Sequence, residues 1–224
     1  MDVYTTTVKF FQEGGLFMYP IAIVLGLGIA IAIERWLYLT FATLNNKALW
    51  TSVTPHLKSG NLSGAMQVTT KSKAAIAQIM TYGLNRVRSA RRREDVEQAM
   101  EESLMEVLPR LEKRTHYLAT FANIATLLGL LGTIVGLISA FTAVSTANPA
   151  DKADLLSASI SVAMNTTAFG LIVAIPLLLI HTLLQTKTTE IIDSLEMASV
   201  KFLNAITERV AGDAKPAAAA KAAG

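Results

Sequence analysis

Three stretches of this chain, residues 16–33, 118–144 and 155–180, contain no Asp, Glu, Lys or Arg. Each matches or approaches the roughly 20 residues that a helix needs to cross about 30 Å of hydrocarbon. Backbone groups in lipid must be paired within the segment, so separate spans must be helices. The sequence therefore predicts an all-α integral membrane protein with three transmembrane helices and long cytoplasmic helical extensions. Only 17% of the residues are charged, against about a quarter in a soluble domain. The absence of cysteine excludes disulfides, thiolate catalysis and Cys-ligated metals. The net charge of +3 comes from basic residues beside the apolar segments, which points to topology and not to nucleic acid.

The same basic residues orient the chain. One (Lys9) precedes the first span, thirteen lie from Arg35 to Arg114, one (Lys152) lies between the second and third spans, and five follow the third. Positive residues stay in the cytoplasm. The expected plan is an outside segment at 1–15, a first helix at 16–40 and a cytoplasmic helical region at 41–117. A second helix at 118–146, a short periplasmic loop at 147–154 and a third helix at 155–185 come next. A cytoplasmic helix at 186–211 and a disordered Ala-rich tail at 212–224 complete it. Glu34 and Arg35 mark the cytoplasmic boundary of the first span. That span reads as a membrane helix and not a signal peptide: its apolar core is too long and its leader is not basic.

In the cytoplasmic region, Asn61 or Ser63 is placed to cap a helix, and a second helical stretch runs through Ile76, Ile79, Met80 and Leu84. RSARRRED, residues 88–95, reads as a basic connector. Val96, Met100, Leu104, Val107 and Leu111 then recur at helical spacing, with Pro109 expected to kink the helix. No strong breaker separates this helix from the second span, so the two read as one long rod. Glu97, Glu101, Glu102, Glu106, Arg110 and Lys113 form its polar face, either simply solvated with some i,i+4 pairing or a docking face for another subunit.

The spans carry polar residues that lipid does not ask for. In the second, Gly129, Gly132 and Gly136 share a narrow sector, and Gly132 and Gly136 form a GxxxG pair that lets backbones approach closely. Gly170 and Pro176 in the third allow packing and a bend. Asn123, Thr126 and Thr133 lie beside the glycine sector; Ser157, Ser161 and Asn165 repeat along one face of the third span, with Thr166 and Thr167 on others. Each Thr either bonds back to its own helix or faces a polar space. The amide of Asn165 cannot be satisfied by one helix. Thr126, Thr133, Asn165, Thr166 and Thr167 are thus the candidate pore-lining residues. The cores of the second and third spans hold no ionisable group, and a proton path usually needs one. No nucleophile–base set, metal cluster or phosphate loop is present, so neither enzymatic activity nor a metal or cofactor is expected.

LLGLLGTIVGLISAF in the second span, TTAFGLIVAIP in the third, GGLFMYPI and IAIERWLYL near the N-terminus and the large insertion between the first two spans resemble the ExbB/TolQ/MotA proton-channel family, most of all its ExbB-type members. The resemblance implies a homo-oligomeric ring, a pentamer in the ExbB and MotA branches, around a dimer of single-span partners of the ExbD/TolR type. The partner brings a membrane aspartate. Proton flow through this interface drives rotation, delivered through a TonB-like protein to outer-membrane transport. The implied site is a bacterial inner membrane, with lipid contacts, a periplasmic N-terminus and a cytoplasmic C-terminus. By position, Thr133 and Thr167 fall on the two threonines that line the family's proton path. Val162 stands where ExbB and TolQ proteins have a glutamate. A TolQ-like envelope-maintenance motor and a non-conducting scaffold for a partner helix are the alternative roles.

Overall fold

The computed structural model of the chain describes residues 14–87, 89–90 and 92–222, with side chains as far as residue 207. The outside segment expected at 1–15 lies almost wholly beyond these residues. The described residues form six helices and no strand: α1 (Met18–Ser59), α2 (Leu62–Lys71), α3 (Ala75–Val87), α4 (Arg93–Glu112), α5 (Thr115–Thr146) and α6 (Lys152–Ala222). Three helical stretches, Met18–Ser59, Arg93–Thr146 and Lys152–Thr207, are long and apolar enough to cross a membrane. The chain divides into two compact units.

The first unit comprises Met1–Arg35 and Arg114–Leu184. Where its second and third apolar helices meet, its interior mixes small residues with a few large ones. Leu118, Ala122, Ala125, Gly129 and Gly132 of α5 are buried in one stripe at steps of four and three. Ala163, Thr166, Gly170, Val173 and Leu177 of α6 are buried in a matching stripe. Large residues such as Leu127, Ile138, Ile172 and Leu179 point outward. Lipid tails are as apolar as leucine, so burying leucine gains nothing there, whereas small residues gain close backbone contact.

The second unit comprises Trp36–Lys113 and Gln185–Gly224, and it has an ordinary large-residue core. Leu39 and Val53 of α1, Ile79 and Met80 of α3, Met100 and Leu111 of α4, and Leu195 and Phe202 of α6 are all fully or nearly fully buried. Gly60 at φ 76° ends α1 in the left-handed conformation that glycine adopts at little cost. Asn61 then caps α2, its Oδ1 accepting from the Gly64 N–H at 2.8 Å. The buried Asn46 side chain accepts from the Ile76 N–H at 3.2 Å, which satisfies a free donor in the first turn of α3.

One expectation is corrected. α4 and α5 are not one rod: Arg114 sits at φ 66° and interrupts the helix between Glu112 and Thr115. Pro109, which has no N–H to give the Met105 carbonyl, already loosens the last turn of α4. The backbone of α6 runs on as helix as far as Ala222, in keeping with alanine's high helix propensity.

Candidate functional site

The candidate site lies on α5 and α6 of the first unit. Gly129 brings the helices together: a β-carbon there would sit 3.2 Å from Thr167 Cα and 3.4 Å from Gly170 Cα. At Gly170 it would sit 2.7 Å from the Ala125 carbonyl oxygen. Gly132 abuts the Thr166 side chain, and Gly136 faces Ala163. Pro176 lies on the exposed outer surface, away from this seam.

The hydroxyls divide by partner. Thr167 crosses the seam and donates to the Gly129 carbonyl at 2.8 Å. Thr166, only 2% exposed, lies 2.6 Å from the Gly14 carbonyl and 2.9 Å from that of Val162. Its single proton ties the segment before α1 to α6, so it faces the unit's interior and no open space. Thr126 and Thr133 bond back to Ala122 and Leu130 within α5, which satisfies each donor but leaves oxygen lone pairs available. Thr126 is exposed and Thr133 half-buried.

Asn165 is half-buried and Asn123 exposed; neither amide has a hydrogen-bond partner among the described residues. Ser157 and Ser161 are also exposed on α6. The sequence placed Asn123 beside the glycine sector but not among the pore-lining candidates. Its polarity was the available signal; its outward aim needed the helix pairing. Val162 packs toward Gly15, its Cγ1 3.1 Å from where a Gly15 β-carbon would stand.

At one end of the unit charges gather. Arg114 pairs with Glu34 at 3.1 Å, both about half exposed, an arrangement worth about 0–1 kcal/mol. Arg35 is 2% exposed and donates from Nε to Thr115 Oγ1 at 3.2 Å. The rings of His116 and His181 come within 6.4 Å of each other, a meeting that no spacing along the chain foretells. Among the described residues no group of three or more His, Cys, Asp or Glu is placed to hold a metal ion.

The two-helix seam is thus tight, with hydroxyls along it and no carboxylate among the residues named. Residues 71–197 match the sequence profile of the MotA/TolQ/ExbB proton channel family. The chain belongs to that family. No curated protein matches it in sequence. The matched stretch includes all of α3, α4 and α5 and most of α6. Family membership and three apolar helices make this a membrane protein and a proton-channel-type subunit.

Proposed function

We propose that several copies of this chain, five in the simplest case, form a ring in a bacterial inner membrane around a dimer of ExbD/TolR-type single-span partners. The ring acts as the proton-conducting part of a motor and carries out no enzymatic step. The observation that carries this reading is the outward-facing polar set in the membrane unit. Asn123 and Asn165 have no partner among the described residues, and the half-buried Thr133, bonded back to Leu130, keeps oxygen lone pairs available. Unpaired amides in hydrocarbon are costly, so another helix or a wet chamber should cover them.

The carboxylate that titrates would be the partner's. Amides and hydroxyls can hold it in the ionised form, and protonation would release it toward the apolar walls. One charge crossing 100 mV supplies about 2.3 kcal/mol, enough to shift a helix–helix arrangement. The basic-residue distribution places the N-terminus in the periplasm and the C-terminus in the cytoplasm. The resemblance of the span motifs favours an ExbB-like role, with force passed through a TonB-like protein, over a TolQ-like one.

One observation favours a non-conducting scaffold instead: Thr126, Thr133, Thr166 and Thr167 all donate to carbonyls within the chain. Proton flux separates the two. The chain is reconstituted with its partner in vesicles, a potential is imposed and internal pH is followed. Flux that is present in the parent and lost in Thr133→Val and Thr167→Val, with assembly intact, supports the channel. No flux in the parent favours the scaffold, and full flux in both variants removes these residues from the path.

A further inference from the structure

The second unit has a groove of about 430 Å³ that the proposed proton path does not use. Lys47, Lys187 and Lys201 line it beside Trp50 and Met197, and Glu190 is the one acid there. Lys187 is steered: its Nζ lies 4.6 Å from the centre of the Trp36 ring and donates to Thr40 Oγ1 at 2.7 Å. Lys47 and Lys201 are exposed and in no ion pair among the described residues.

The same unit carries a surface of opposite character. Glu97, Glu101, Glu102 and Glu106 of α4 are exposed, with Met105 69% exposed among them. Glu97 and Glu101, like Glu102 and Glu106, stand four residues apart, where like charges repel. Among the described residues, Glu106 pairs with Arg110 at 3.6 Å, and the other three are in no ion pair. This row gains from cations brought by something else.

We propose that the lysine groove of one copy receives the acidic face of α4 from the next copy. Met105 enters beside Trp50 and Met197, and the glutamates meet Lys47 and Lys201. The contact uses two different surfaces of each chain, the head-to-tail kind that closes into rings. A lipid headgroup could reach Lys187 but not the far end of the groove, because Lys201 lies roughly 25 Å along α6 from Leu184; an occupant that spans all three lysines fits better. The inference rests on the ring reading above.

The cysteine-free chain allows a direct test. Met105→Cys and Met197→Cys are placed together in the full-length protein, which is then oxidised in its native membrane. The expected product is a ladder of covalent multimers up to the full assembly, absent from each single variant. Lys47→Glu with Lys201→Glu should cut the ladder at least about tenfold, and adding Glu101→Lys with Glu102→Lys should restore it. Native mass measurement separates the failures. An intact ring with no ladder overturns the groove pairing and leaves the ring reading standing; a monomeric mass overturns both. Products that stop at the dimer, or that contain a foreign protein, also overturn it.

Discussion

Gly170 and Gly26 show how differently one residue type can be used. A β-carbon at Gly170 would meet the Ala125 carbonyl oxygen and, at 3.1 Å, Gly129 Cα. Both are backbone atoms and neither can step aside, so α5 and α6 would have to separate. Gly170→Ala should lower stability by about 1–3 kcal/mol, read as an earlier thermal unfolding midpoint in detergent. Nothing lies within 4 Å of a β-carbon at Gly26, and alanine favours a helix over glycine. Gly26→Ala should leave that midpoint unchanged or raise it. The glycine sector was legible because helical spacing alone collects Gly129, Gly132 and Gly136. The burial of Thr166 was not, because its partner is the carbonyl of Gly14, 152 positions away. Periodicity sees faces of a helix, not what a distant segment lays against them.

At the scale of elements, the junction of α4 and α5 was the least legible part. Residues 112–115 contain neither glycine nor proline, so nothing in them announces a break. The structure makes it by holding Arg114 at φ 66°, a conformation that costs a non-glycine residue roughly 1–2 kcal/mol. Glycine would relieve that cost and lose only the half-exposed pair with Glu34. Arg114→Gly should therefore match the parent's stability to within about 1 kcal/mol, whereas a β-branched residue fits the left-handed region poorly. Arg114→Val should be clearly less stable than Arg114→Gly in the same denaturation series; equal values would mean that the junction tolerates a regular helix. The cap of α2 was legible because asparagine before a helical run has a specific job, which the Gly64 N–H bond fulfils. The N-terminal support of α3 comes from Asn46 on another helix and leaves no local trace.

For the molecule as a whole, the number of spans followed from the charge-free stretches, but the helix ends did not. α1 continues to Ser59, well past the edge of the apolar segment, because Leu39, Leu49, Val53 and Leu57 are buried there and tertiary packing outweighs the poor helix propensity of its threonines, asparagines and Pro55. Orientation remains an expectation from basic residues, and the lack of cysteine makes it simple to check. A membrane-impermeant thiol reagent applied to intact inner-membrane preparations of known sidedness should label Asn148→Cys from the periplasmic face and Ser194→Cys only from the other. The reverse pattern would overturn the orientation read from the basic residues. The small-residue seam of α5 and α6 has a mechanical corollary. Along much of it glycine faces bare backbone or a small side chain, and among the described residues the Thr167–Gly129 hydrogen bond is the polar catch across it. Such a pair has the character of a bearing: once the catch lets go, one helix can roll or slide against the other with little to grind past.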